Sequence, residues 1–206
     1  MALDTFSNLK ASVVSFSGRD DLSEHMDDFV KLTEQSIYHN DQSPLKIRSM
    51  EALSTLVTVA GTKTVDLPAN FLAFRSITIE SGGNEYPLSY YAPGALPTPN
   101  TSGVPRAFTI TDKIEFDYNP DAVYTININY YAKATPLSSA APTNAILTTY
   151  PSIYLYGCLA CVYDFANEPE LSEYNYGKFI RAIKGAIRGD HKGSPTPQSR
   201  VYGSHP

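Results

Sequence analysis

The sequence predicts an α+β protein, on the evidence of where its hydrophobic period changes. Apolar residues recur at helical spacing before residue 44 and after residue 143, and they alternate with polar residues in between. With 206 residues and 42% apolar content, the chain can bury a core of one domain, or of one domain with a subdomain. The predicted order is two helices, a mostly antiparallel β block and two further helices.

Two helices are predicted in the N-terminal region. Thr5 or Asp4 can cap the first, over about residues 5–16. Its expected apolar stripe consists of Phe6, Leu9, Val13 and Phe16. The second is expected over residues 23–38, and the members of its apolar face are Leu22, Met26, Phe29, Val30, Thr33 and Ile37.

The β block begins after Pro44, where the period changes to two. Strands are expected at residues 46–59, 65–67, 71–80, 85–88, 107–111, 114–118 and 123–131. Ser81-Gly82-Gly83-Asn84 is typical of a hairpin turn, and residues 92–105, with four prolines, form the longest predicted loop.

The most apolar stretch, residues 150–165, predicts a buried central helix. Pro151 suits its first turn, where a missing backbone N–H costs nothing. A helix that is apolar all round must be surrounded by protein or lipid, and this one is shorter than the roughly 20 residues of a membrane span. Gly157 in its middle costs about 1 kcal/mol relative to Ala, which indicates the close approach of another backbone.

A last helix is predicted over residues 170–188, followed from Gly189 by a free tail rich in Gly, Pro and Ser. Four cations fall on an arc of this helix about 120° wide: Lys178, Arg181, Lys184 and Arg188. From Gly177 onward there are six Lys or Arg residues and one acidic residue, Asp190, which gives this segment a charge of +5. Because the whole chain has a net charge of −5, the remaining residues together carry −10. This asymmetry is the strongest electrostatic feature of the sequence.

Five acidic residues crowd the start of the second helix: Asp20, Asp21, Glu24, Asp27 and Asp28. The helix dipole favours negative charge there, so a solvated helix start is the favoured interpretation. A metal site is the alternative, but His25 is the only other ligand type nearby and the segment lacks an EF-hand pattern.

No catalytic or cofactor motif is recognised, and we expect neither an enzyme nor a bound metal or cofactor. Cys158 and Cys161 have redox spacing but lie inside an apolar helix rather than at its N-terminus, so they are interpreted as buried hydrophobes. The histidines (His25, His39, His191 and His205) belong to no nucleophile motif, and no Gly-rich phosphate loop is present.

Compartment and general partner class are also constrained. Residues 1–4 have no basic region or long apolar run, so no signal peptide or membrane anchor is expected. Two cysteines three residues apart form no disulfide framework and fit a reducing compartment. A net charge of −5 argues against a general nucleic-acid binder.

Beyond this order of elements, several strings resemble the head-to-tail adaptor proteins of tailed bacteriophages. They comprise residues 29–37, Arg48-Ser49-Met50-Glu51, Val65-Asp66-Leu67-Pro68-Ala69-Asn70-Phe71-Leu72, Gly103-Val104-Pro105-Arg106-Ala107-Phe108-Thr109-Ile110, Asn129-Tyr130-Tyr131-Ala132 and Thr148-Thr149-Tyr150-Pro151-Ser152-Ile153-Tyr154-Leu155-Tyr156-Gly157. Each string alone is degenerate, but together they run in order across nearly the whole chain. The resemblance to this family therefore depends on the complete set of strings. The architecture also looks like the podovirus tail tubular or gatekeeper ring proteins.

The resemblance implies a four-helix bundle with an inserted β domain and a flexible C-terminal tail. The implied parts are N-terminal bundle helices (1–43), β domain (44–143), C-terminal bundle helices (144–190) and tail (191–206). It also implies a virion protein of the neck, made in the cytoplasm of the bacterial host. The protein would form a ring of about twelve copies between the portal protein and the nozzle or tail tube. Such a ring would seal the head and meet DNA only in transit through its lumen.

The resemblance further suggests roles for the charged and C-terminal residues. The tail would bind the portal through Lys192, Pro195, Pro197, Arg200, Val201 and Tyr202, although a dangling terminus is the alternative. The basic arc has three interpretations. It is a solvated face, or it pairs with an acidic surface of the portal or of a neighbour's second helix, or it contacts DNA. The acidic residues are then a partner surface or the lumen face.

Two other functions remain open at this point. One is a tail-completion or neck protein further down the tail. The other is a monomeric β-rich ligand-binding module, for which the 15 tyrosines and the long loop offer a surface.

Overall fold

The computed structural model describes residues 3–99 and 101–192, with the side chains of residues 191 and 192 left out. The fold is α+β, as predicted. The chain divides into two compact units. The helical unit comprises the described residues up to Arg48 and from Thr135 onward, and the β unit is Ser49–Ala134.

The helical unit is built from α-helices and one 3₁₀ segment. In chain order these are α1 (Phe6–Ser17), a 3₁₀ helix (Asp20–His25), α2 (Met26–His39), α3 (Ala145–Thr149), α4 (Pro151–Phe165) and α5 (Pro169–Lys192). Within this unit α4 packs against α1, α2, α3 and α5. The predicted central helix is therefore confirmed.

The first helix begins where its cap predicts. The Thr5 hydroxyl accepts the Asn8 N–H at 3.3 Å, and Gly18 ends the helix in the left-handed region, at φ 67°. Phe6, Leu9 and Val13 are buried as expected. Phe16 is 57% exposed, so its assignment to the buried stripe is wrong, and burial of that stripe ends at Val13.

The second helix has the predicted buried face but a later start. Residues 20–25 form the 3₁₀ helix, so the α-helix begins at Met26 rather than at residue 23. All six residues of the predicted apolar face are buried. The hydrophobic period thus located the face correctly, whereas the local hydrogen-bonding pattern at the start was not predicted.

Gly157, in the middle of α4, is needed because its neighbours are close. A methyl group built there would overlap with Cγ2 of Thr33 on α2 and lie 3.2 Å from Cδ2 of Phe179 on α5. The predicted close approach is real, but the approaching group is the Thr33 side chain rather than a backbone.

Two features flanking α4 were not predicted. The short α3 begins after Asn144, whose side chain accepts the Leu147 N–H at 2.9 Å. At the other end, α5 continues to Lys192, so the predicted tail is helical over residues 189–192. Asp190 explains the extension, because its carboxylate accepts the backbone N–H and Nε–H of Arg48, both at 3.1 Å.

The β unit contains two four-stranded sheets. Its strands are β1 (Glu51–Val57), β2 (Thr64–Asp66), β3 (Phe71–Ser81), β4 (Asn84–Pro87), β5 (Ser89–Tyr90), β6 (Ala107–Ile110), β7 (Lys113–Phe116) and β8 (Thr125–Ala132). One sheet has the order β1-β8-β3-β4 and the other β2-β7-β6-β5. Among the described strands, every pairing is antiparallel except that of β5 with β6, which is parallel.

The strand predictions hold in the middle of the block and fail at its start. The strand predicted at residues 46–59 is shorter, because Arg48–Met50 forms a 3₁₀ turn before β1. The two-residue β5 was not predicted. Alternate residues of the strands form the core, which consists of Ile77, Ile79, Leu88, Phe108, Ile114, Phe116, Ile126, Ile128 and Tyr130.

Candidate functional site

A shallow groove of about 570 Å³ runs along the C-terminal half of α5 and carries most of the predicted basic arc. Three of the four predicted cations line it: Arg181, Lys184 and Arg188. Lys184 Nζ lies 3.5 Å from the side-chain oxygen of Gln42, at the groove wall. No ion pair joins Arg181 or Arg188 to another described residue. We refer to this surface as the basic groove.

Lys178, the fourth predicted member of the arc, does not line the basic groove. Its ammonium group lies 4.3 Å from the ring centroid of Tyr174 and 5.0 Å from that of Tyr156. A cation over two aromatic faces is already partly satisfied by them. The structure therefore separates Lys178 from the other three cations.

The five predicted acidic residues are all exposed, and three of them already have partners. Asp27 accepts from Lys10 at 2.7 Å, and Asp28 from Lys31 at 3.3 Å. Asp21 binds Arg19 through two hydrogen bonds of 2.8 and 2.9 Å, and this hydrogen bonding lowers the pKa of the Asp21 carboxyl.

Asp20 and Glu24 differ from the other three. No ion pair or hydrogen bond of their carboxylates occurs within the described part of the chain. We refer to residues 20–28 as the acidic segment. It therefore carries two carboxylates that are open to a partner.

The alternative reading of the acidic segment as a metal site gains no support. Among the described residues, no three His, Cys, Asp or Glu side chains are grouped to hold a metal ion. His25 packs instead on aromatic rings, with its centroid 5.0 Å from that of Phe165 and 6.3 Å from that of Phe29.

The two cysteines are free thiols in apolar surroundings. Cys158 is buried and Cys161 is half-buried, and the Thr33 hydroxyl lies 3.5 Å and 3.9 Å from their sulfur atoms. Burial raises the pKa of the Cys158 thiol to about 12 and also raises that of Cys161. Both thiols are therefore protonated at neutral pH, which removes the nucleophilic thiolate.

A polar network inside the helical unit was missed at the sequence level. The fully buried Tyr154 donates its hydroxyl to Glu34 at 3.1 Å and accepts from Asn144 at 2.8 Å. The Glu34 carboxylate also accepts the Leu137 N–H at 2.8 Å, while Asn144 donates to the Thr135 carbonyl at 2.9 Å. The network thus fastens the segment that returns the chain to the helical unit.

Burial sets the protonation behaviour of this network. It raises the pKa of Glu34, against the opposing effect of the Leu137 N–H and the Tyr154 hydroxyl, and it raises the pKa of Tyr154. One feature of the sequence could have indicated a member of this network. Asn144 stands immediately before an apolar run, which is typical of a helix N-cap.

The predicted portal-binding residues cannot be placed on this surface. Pro195, Pro197, Arg200, Val201 and Tyr202 lie outside the described residues, and so does the side chain of Lys192, whose backbone ends α5. In the part of the chain that is described, none of the helices combines the length and the apolar character needed to cross a membrane.

Comparison with known proteins identifies the family. The chain matches the family model of the SU10 adaptor protein over residues 4–201, which includes both units. No curated protein matches the chain. Because the family match extends over nearly the whole sequence, this chain belongs to the SU10 adaptor protein family, a family of phage head-tail adaptors.

Proposed function

We propose that this protein is a structural head-to-tail adaptor, which forms a ring of about twelve copies between the portal and the tail tube or nozzle. Membership of a phage adaptor family implies a structural role in the virion, among other head and tail components, rather than an enzymatic one. In this proposal the ring seals the packaged head and lines the channel through which DNA leaves.

The ring is proposed because one compact unit has two surfaces of opposite charge, and each surface contains charged side chains that form no ion pair within the described residues. The basic groove holds Arg181 and Arg188 without ionic partners, and the acidic segment presents Asp20 and Glu24 without partners, within the described residues. Complementary charges favour the encounter and fix the register of two proteins. Such surfaces suit a protein whose neighbours are other proteins.

The architecture assigned from the resemblance also enters this proposal. Helices α1, α2, α4 and α5 would form the four-helix bundle that packs against neighbours and the portal. The β unit would be the inserted domain that faces the tail or the outside. Residues 191–206 would be the segment that reaches the portal, through the six residues named above.

The chemistry of the channel argues against a basic lumen. Each lysine or arginine that contacts a phosphate releases counterions and holds the DNA in place, whereas DNA must slide through this ring. The lumen is therefore proposed to be acidic or mixed in charge. The groove cations would accordingly face an acidic surface of the portal or of a neighbouring copy.

The test is co-expression with the portal protein encoded by the same genome, followed by native mass spectrometry of the product. A portal complex that carries about a dozen copies of this chain is the expected result. Deletion of residues 191–206, which keeps Asp190 and its contact with Arg48, should then abolish or weaken loading if the tail binds the portal. A bare portal beside a monomeric chain would refute the adaptor proposal, and a lower-neck or ligand-binding role would replace it.

A further inference from the structure

The chain just before the acidic segment contacts the start of α5, whereas the basic groove lies further along that helix. Arg19, directly before the acidic segment, is 3.6 Å from Glu168, directly before α5. Arg181, the groove cation nearest to Glu168 in the sequence, lies thirteen residues further along the chain. At about 1.5 Å per residue, Arg181 is therefore about 20 Å along α5 from the contact between Arg19 and Glu168. Among the described residues, no ion pair joins the acidic segment to a groove cation.

Charges that are complementary but do not pair within one molecule can pair between two copies. Contact between two different surfaces of the same chain is heterologous, and repeated heterologous contacts close into a ring when the rotation permits. From this geometry we infer that the basic groove receives the acidic segment of the adjacent copy, rather than the portal or DNA. This inference rests on the proposed ring and names the partner of one of its surfaces.

The glycines of the groove indicate how closely that partner approaches. Gly177 and Gly185 both line the groove, and a Cβ atom added to either would meet nothing within 4 Å. A glycine inside a helix lowers its stability relative to alanine, so these two gain nothing from packing within the described chain. A neighbouring copy that fits between the groove cations would explain why no side chain stands at these positions.

The arrangement of the cations supports the same docking mode. At 100° per residue, Arg181, Lys184 and Arg188 fall within an arc of about 60° on α5. Among the described residues, no acidic side chain lines the groove beside them. A short acidic segment such as residues 20–28 matches this row of cations in sign. Its two open carboxylates are available for Arg181 and Arg188, which form no ion pair within the described residues.

A mixed-assembly experiment tests the inference. The groove-reversed variant carries R181E and R188E, and the segment-reversed variant carries D20K and E24K. Each is co-expressed with the portal alone, and then the two are expressed together, with portal loading read by native mass spectrometry. K46E with K133E is the matched control, since both lysines are exposed and outside the groove and the segment.

The inference predicts failure of each variant alone and rescue by their mixture. Within one variant, every groove meets a segment of its own sign, so full loading should fall by more than about tenfold. In the mixture, each groove meets a segment of opposite sign, so loading should return with equal amounts of both variants. The lysine control should load like the unmodified chain.

The other outcomes overturn the inference in distinguishable ways. If both variants load normally on their own, the two surfaces do not meet, and the adaptor proposal stands. If only the groove-reversed variant fails and the mixture does not rescue it, the groove faces the portal instead. If the unmodified chain does not load at all, the proposed function and this inference fail together.

A glycine substitution supplies a second, independent readout. G177A and G185A should raise the melting temperature of the isolated chain by about 2–4 °C each, because alanine favours the helix. The same variants should load the portal less completely, because the added methyl groups occupy the contact. Raised melting temperature with unchanged loading would exclude close approach at the groove floor.

Discussion

Replacement of Gly157 by alanine should destabilise the helical unit, although alanine is the better helix former. The new methyl group would overlap with Cγ2 of Thr33 and crowd Phe179, and both neighbours are buried. Overpacking of a core typically costs about 1–3 kcal/mol. The intrinsic preference of a helix for alanine offsets about 1 kcal/mol of this.

The upper part of that range applies here because Thr33 cannot easily move away. Its hydroxyl donates to the Phe29 carbonyl at 2.8 Å, and a β-branched side chain on a helix has few rotamers to choose from. Rotation of Thr33 would therefore cost a buried hydrogen bond, about 1 kcal/mol. We expect the free energy of unfolding to fall by about 2 kcal/mol, which corresponds to roughly 4–8 °C in melting temperature.

The assay is urea unfolding of the isolated chain, followed by circular dichroism at the helical minimum. G185A is the matched control: it is the same substitution in a helix, at a site with open space, and should stabilise by about 1 kcal/mol. T33S removes Cγ2 but keeps the hydroxyl, so the double variant T33S/G157A should recover most of the lost stability.

Two results would refute this reasoning. One is a G157A chain that is as stable as the G185A chain. The other is strict additivity of T33S and G157A, since the two residues would then not be in competition for the same space.

Four further predictions concern the described side chains. Y154F should lower the free energy of unfolding by about 1–3 kcal/mol, measured by urea titration, because it leaves the half-buried Glu34 and Asn144 side chains short of a partner. Since burial raises the folded-state pKa of Glu34, its contribution to stability is fully present below about pH 4.5 and is lost as the pH rises through the folded-state pKa. Relative to E34Q, the unmodified chain should therefore lose stability as the pH rises from about 4.5 through the folded-state pKa of Glu34. Parallel plots of unfolding free energy against pH for the two chains would contradict this. Cys158 should react with a thiol reagent at pH 8 only after denaturant is added, and immediate reaction would show that it is not buried. D190A should remove the contact with Arg48 and speed amide exchange in the last turn of α5, whereas unchanged exchange would show that the contact does not hold the helix.

Features that depend on neighbouring residues in the sequence were predictable. Thr5 caps α1, Pro151 opens α4, and Gly82-Gly83 turns the hairpin between β3 and β4, because each acts on the backbone within a few residues. The buried face of α2 was predictable for the same reason, since helical spacing alone places its residues on one side. The family assignment likewise followed from strings that lie in order along the chain.

Features that depend on distant residues required the tertiary structure. The parallel pairing of β5 joins Ser89 to Ala107 across a long loop, and two residues carry no periodic signal of their own. Phe16 follows the apolar spacing of α1 yet is exposed, because the extent of the neighbouring surface, and not the spacing, decides burial.

The charged surfaces show the same division between sequence and structure. The sequence by itself determined that the basic and acidic clusters exist, since charge is a property of residue type. Only the tertiary structure removed Lys178 from the groove and placed it over two tyrosine rings. Only the tertiary structure separated the acidic segment from the groove along α5, because that distance is set by how α2, α4 and α5 pack together and not by their order in the chain.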